Sequence, residues 1–129
     1  MARRLDYPRL SPELAKKLSE LALALGHGAV EQTLRDLVFL RASQLNHCAF
    51  CVDMHVKEAK IHGERELRLH HVAVWRESPL FTEKEKAALE WTEAVTLIER
   101  AGVPEELYER VSNHFSEKEL SDLTFAVGT

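Results

Sequence analysis

Cys48-Ala49-Phe50-Cys51-Val52-Asp53-Met54-His55 is the stretch whose reading decides the rest. On a helix at about 100° per residue, Cys48, Cys51 and His55 fall within about 60° of arc, so two thiols and an imidazole stack along one face. The reactive form of cysteine is the thiolate, and a free thiol titrating near about 8.5 is mostly protonated at neutral pH. Asn46 is a good N-cap residue and would put both cysteines in the first turn. There, unpaired backbone N–H groups and the positive end of the helix dipole favour a thiolate. His55 can take the thiol proton. Cβ atoms three residues apart in a helix lie about 5–6 Å apart, whereas a disulfide asks for about 3.5–4.5 Å. Closing the bridge therefore needs a tightened turn. Three other readings fit the same residues: a pair of buried core cysteines, a zinc site built from Cys48, Cys51, His55 and His47, and a scaffold that keeps the residues without turning over.

Helical periodicity continues on both sides. Ser11 and Pro12 open a helix that Gly26 ends, with Leu14, Leu18, Leu21, Ala22 and Leu25 on the face expected to be buried. A second helix is expected over 29–43, on Val30, Leu34, Leu37 and Val38. A third starts near Asn46 or His47 and ends before Gly63, and a fourth covers 64–75, broken by Ser78-Pro79. Thr82 with Glu85 forms a capping box that opens a fifth, with Ala87, Trp91, Ala94, Val95 and Ile98 inside and Gly102 at its end. Pro104 opens a sixth, to about residue 114, and Ser116 with Glu119 opens a seventh. The stripe of this last helix, Leu120, Leu123 and Val127, either ends on Gly128 as a C-cap or continues past Thr129. Period-two alternation is absent, as are repeats and linkers. The fold class expected is all-α, one domain over 1–129, of six to seven short helices.

Composition bounds the partners. With 129 residues, 45% apolar, 29% charged and a net charge of -4, the chain suits one packed domain and offers no broad attraction for a nucleic-acid backbone. Arg3, Arg4 and Arg9 beside Asp6 read as a solvated tail. No apolar run reaches the roughly eighteen residues of a membrane span. The stretch from Leu14 to Leu25, interrupted by Lys16, Lys17 and Glu20, does not read as a signal peptide. The expected location is the cytoplasm, where two cysteines are catalytic or metal-binding rather than a structural staple. His27, His62, His70, His71 and His114 read as surface or capping residues, and no cofactor is expected.

Several segments resemble the alkylhydroperoxidase D / carboxymuconolactone decarboxylase family, in its peroxidase-like branch. They are Leu34-Arg35-Asp36-Leu37-Val38, Arg41-Ala42-Ser43-Gln44-Leu45-Asn46, the CxxCxxxH segment with Lys57-Glu58-Ala59, Trp75-Arg76-Glu77-Ser78-Pro79-Leu80-Phe81-Thr82, and His114 to Leu120. The resemblance implies an all-helical trimer or hexamer that reduces small hydroperoxides. It implies that Cys51 is peroxidatic, that Cys48 resolves the sulfenic acid as a disulfide, and that an external dithiol reduces the bridge. His55 matches the relay histidine. Asp36 matches the relay acid, one methylene shorter than the family's Glu, and Phe50 stands where the best-known members have His. The lactone chemistry of the decarboxylase branch does not depend on a CxxC pair. Two alternatives remain: a dithiol/disulfide oxidoreductase with little peroxidase activity, and a non-catalytic helical oligomer.

Overall fold

Residues 4–129 are described by the computed structural model; Arg3, part of the expected solvated tail, lies outside them. Among the described residues the chain is all-α, as expected. It runs α1 (Tyr7–Leu10), α2 (Pro12–Leu25), α3 (Gln32–Leu45), α4 (Ala49–Ile61), α5 (Glu66–His71), a 3-10 turn (Val72–Glu77), α6 (Glu83–Thr96), α7 (Ile98–Ala101), α8 (Glu105–Ser112) and α9 (Glu117–Gly128).

Both capping boxes form. Thr82 and Ser116 accept from the N–H of Glu85 and Glu119, whose carboxylates reach back to the cap N–H groups, so each helix start satisfies two donors. Ser11 precedes Pro12 as expected but makes no side-chain cap bond. The expected fourth helix is two pieces, α5 and the 3-10 turn, with Val74 outside helical geometry. The fifth stops at Leu97, and one further turn, α7, ends on Gly102, whose φ of 62° suits a residue without Cβ.

Helix α3 is the centre of the molecule. Leu34 and Val38 face a cluster with Trp91, Val111 and Leu123. Leu37 and Leu40 face a second cluster with Val72, Trp75 and Leu89. Burying both stripes fixes α3 against α4 on one side and α6 on the other.

The stripe expected to bury α2 does not do so within one chain. Leu25 is buried, but Leu14 is 73% and Leu18 52% exposed. Periodicity marks an apolar face; it does not say which molecule covers it.

A part-buried ion network ties α5 to α6. Arg68 Nε donates to Glu64 at 2.9 Å and its Nη2 to Glu85 at 2.6 Å, while Nη1 donates to the Leu80 carbonyl. The guanidinium also lies over the Phe81 ring. The hydrogen bonds that Arg68 donates to Glu85 outweigh burial and raise the Arg68 pKa. Burial pushes Glu85 up, but Arg68 and the Thr82 N–H overcome it and hold the carboxyl below its ordinary range.

A candidate redox site at the start of helix α4

The turn between α3 and α4 builds the site. Asn46 is the C-cap of α3, not the N-cap of the next helix. His47 follows with φ 54°, the left-handed position that closes a helix end, and histidine tolerates it better than most residues. The Cys48 N–H reaches back to the Ser43 carbonyl and the His47 N–H to Gln44, satisfying the last carbonyls of α3. The chain then leaves extended, so Cys48 becomes the N-cap of α4, which starts at Ala49 and not at Asn46 or His47.

This placement resolves the distance problem posed by two helical positions. Cys48 stands outside the helix and Cys51 in its first turn, with Cα atoms 5.3 Å apart and the two sulfurs bonded. The Cys51 N–H donates to Cys48 Sγ at 3.2 Å, an N-cap bond made by sulfur instead of oxygen. When the bridge is open, the same N–H and the helix dipole face a thiolate.

His55 follows Cys51 by one turn and is largely buried, its ring stacked on Phe39 of α3 with centroids 5.1 Å apart. Its Nδ1 pairs with Glu58 Oε2 at 3.1 Å. A carboxylate can only accept from that nitrogen, so Nδ1 carries a proton and, in the neutral ring, Nε2 is left as the base. The acid beside His55 is therefore Glu58, three residues along the same helix.

Asp36, the acid that the resemblance assigns to the relay, bonds a different histidine. It is 5% exposed, and its Oδ2 accepts from His62 Nδ1 at 2.8 Å. His62 Nε2 in turn lies 3.1 Å from Gln32 Nε2. Helices α3 and α4 run antiparallel, which sets Phe39 opposite His55 and Asp36 opposite His62, nearer the far end of the pair. Sequence reasoning passed over Glu58; His62, read as a surface or capping residue, is the exposed C-cap of α4, and what that reading missed is its bond to Asp36. The signal for His62 was its register, seven residues after His55 and so on the same face of α4.

A cavity of about 540 Å³ opens over the bridge, with Cys48, Gln44, His47 and the Asp53 carboxylate in its wall beside apolar Val52 and Val56. Cys48 contributes to this wall and Cys51 does not. Phe50 points into solvent, 74% exposed. Among the described residues no group of three or more His, Cys, Asp or Glu side chains converges to hold a metal ion.

The candidate site is thus a helical hairpin with a bridged CxxC at its turn and a histidine one turn further, set in an all-α domain. Residues 12–94 match the carboxymuconolactone decarboxylase family. The chain belongs to that family and is of its AhpD-like kind. It is 38% identical over 127 residues to the uncharacterized protein YdfG of Bacillus subtilis (strain 168), covering 98% of this chain and 86% of that one. It is 37% identical over 100 residues to the uncharacterized protein YnjA of Escherichia coli (strain K12), covering 77% of this chain and 54% of that one. Among solved structures, ATU0492 of Agrobacterium tumefaciens superposes with a TM-score of 0.94 at 42% identity, covering 98% of this chain and 87% of that one. That protein is described as of unknown function and as a candidate AhpD of antioxidant defence. The AhpD core of a peroxidase-related protein from Ralstonia eutropha JMP134 shares the fold, with a TM-score of 0.80 at 20% identity over 94% of this chain and 65% of that one.

Proposed function

We propose that the chain is a thiol-dependent peroxidase that reduces small alkyl hydroperoxides through Cys51 and Cys48. The observation that carries this reading is the Cys48–Cys51 pair, within bonding distance at the start of α4 and one turn from His55. The Cys51 thiolate attacks the terminal peroxide oxygen, the O–O bond breaks, and the leaving alkoxide takes a proton from His55. Cys48 then attacks the sulfur of the Cys51 sulfenic acid, hydroxide leaves and is protonated to water, and the disulfide closes. A dithiol returns both cysteines to thiols. The reduced protein should therefore consume an alkyl hydroperoxide for many turnovers when dithiothreitol is present. Consumption no faster than with dithiothreitol alone counts against the reading.

The dithiol/disulfide oxidoreductase reading has one observation of its own: Cys48 occupies an N-cap and faces the cavity, as an exchange nucleophile would. Its signature is disulfide exchange without peroxide turnover.

Glu58 acts as a positioning residue that fixes the His55 tautomer. Asp36 enters through His62, which it holds against α3, and so steadies the α3–α4 pair rather than touching His55. Glu58→Gln is expected to slow thiol oxidation by roughly tenfold or more and to change the His55 tautomer in 15N NMR. Asp36→Asn is expected to alter the His62 signals and slow oxidation by about tenfold or less. An altered His55 tautomer in Asp36→Asn with none in Glu58→Gln would return the relay role to Asp36.

The working form is proposed to be a homo-oligomer, a trimer or hexamer, in the cytoplasm. The exposed leucines of α2 and an apolar groove of about 1140 Å³ lined by Leu21, Trp91, Tyr108, Phe115, Leu120 and Phe125 support it. This groove lies away from the cysteine pair. Light scattering at micromolar concentration should give three or six times the chain mass, and a monomer would contradict the assembly.

A further inference from the structure

We propose that His47 is the proton acceptor for Cys48, its imidazole taking the Cys48 proton when that thiol closes the bridge on an oxidised Cys51. This rests on the redox reading of the Cys48–Cys51 pair and deepens it, since His55 then serves one sulfur and His47 the other.

Three observations carry it. The first is the backbone. The end of α3 is closed by two backward bonds, from the Cys48 N–H to the Ser43 carbonyl and from the His47 N–H to the Gln44 carbonyl, each 3.1 Å. That pattern puts His47 in the left-handed position, which glycine usually takes. Among the described residues His47 is the one residue other than glycine at positive φ. Histidine tolerates the position better than most side chains, but at a cost in stability that glycine avoids. The side chain kept at that cost stands directly before Cys48.

The second observation is the freedom of the ring. His47 is exposed, and among the described residues its ring makes no hydrogen bond or ion pair. His55 and His62, by contrast, have Nδ1 engaged by Glu58 and Asp36. The third is place. His47 and Cys48 stand in the same cavity wall, with Gln44 and Asp53. The Asp53 carboxylate is paired with Lys57 at 2.8 Å. The Gln44 amide does not titrate; it accepts from Arg41, whose other donors go to Glu93. The His47 imidazole is therefore the unengaged base beside Cys48, whereas His55 is stacked on Phe39 of α3.

The Cys51 N–H and the dipole of α4 stabilise a thiolate on Cys48 but cannot accept its proton. The imidazole takes that proton, and the thiolate attacks the sulfur of the Cys51 sulfenic acid. The S–S bond forms, the S–O bond breaks, and the electron pair leaves with hydroxide. The His47 imidazolium gives its proton to the hydroxide, which becomes water. The Cys48 sulfur is oxidised and the Cys51 sulfur reduced, so no further reactant is needed.

Cys48 is read alone in Cys51→Ser, which keeps the N–H of position 51, by its rate of alkylation with iodoacetamide from pH 5 to 9. With His47 present, an imidazolium–thiolate pair should make Cys48 react at pH 6 to 7 roughly three- to tenfold faster than in His47→Gly or His47→Asn on the same background. The curves should meet above about pH 9, where the thiol ionises unaided. Glycine and asparagine both suit the left-handed position, so both variants should melt no lower than their parent. A histidine that only fills the turn would give one alkylation curve in all three proteins, and superimposed curves overturn the proposal. No peroxide enters this arm, so it stands or falls apart from the peroxidase reading. In protein with both cysteines given an alkyl hydroperoxide, His47→Gly should lengthen the life of the Cys51 sulfenic acid roughly three- to tenfold, read as its dimedone adduct. Slower formation of that acid with unchanged resolution would overturn the assignment to Cys48. Absence of any sulfenic acid in the wild type sinks the peroxidase reading, and the alkylation curves still decide the role of His47.

Discussion

Under an alkyl hydroperoxide, Cys48→Ser should accumulate a sulfenic acid on Cys51, trapped by dimedone and located by peptide mass. Cys51→Ser should accumulate none on Cys48, and its peroxide consumption should fall by roughly a thousandfold or more, the scale seen when a nucleophile is removed. The asymmetry follows from the placement of the two sulfurs. Cys51 sits inside the first turn of α4, one turn before His55 and its free Nε2. Cys48 sits at the N-cap, where the Cys51 N–H faces it and where it can swing onto an oxidised neighbour. A sulfenic acid on Cys48 in Cys51→Ser, with none on Cys51 in the reciprocal variant, would exchange the two roles.

Arg68→Met is expected to be the most damaging substitution away from the site. It leaves Glu64 and Glu85 facing each other, both largely buried, without their cation. Breaking a buried pair from one side costs about 3–5 kcal/mol, so thermal denaturation should fall by many degrees. Acid should reveal the same network in the wild type. Glu85 and Glu93 are both held below the ordinary glutamate value of 4.5 despite burial, Glu85 by Arg68 and the Thr82 N–H, Glu93 by Trp75, Arg76 and Arg41. A depressed carboxyl contributes stability that is full above its unfolded pKa and drains away as pH falls through the folded one. Denaturation midpoints should therefore hold above about pH 5 and drop below pH 4.5, toward and past the folded values. In Arg68→Met that drop should be shallower, because Glu85 has lost the partner that lowered it. A wild-type melting temperature flat from pH 6 to pH 3 would contradict the electrostatic account.

What the sequence made legible was local chemistry. The boxes Thr82/Glu85 and Ser116/Glu119 were readable because all their groups lie within four residues. The CxxCxxxH spacing was readable as a helix face. Asn46 misled because it caps either end of a helix, and the choice fell to His47, whose left-handed φ moves the start of α4 to Ala49. The partner of Asp36 was not legible, since Asp36 lies on α3 and the register of the α3–α4 hairpin decides which histidine it meets. Glu58 lies only three residues from His55, within reach of a local reading, whereas Asp36 holds the family's acid position without meeting His55. The leucines of α2 were legible as an apolar face and not as an exposed one, because periodicity does not say whether another element of the chain packs on that face.

The central claim, that Cys48 and Cys51 form a working redox pair, is tested most directly by titrating free thiols in the reduced protein before and after one equivalent of an alkyl hydroperoxide, with and without a chelator. The account predicts the loss of two thiols per chain, their return with excess dithiothreitol, and no effect of the chelator. Two thiols still free after the peroxide, or thiols that react with the titrant only once the chelator is added, would contradict it.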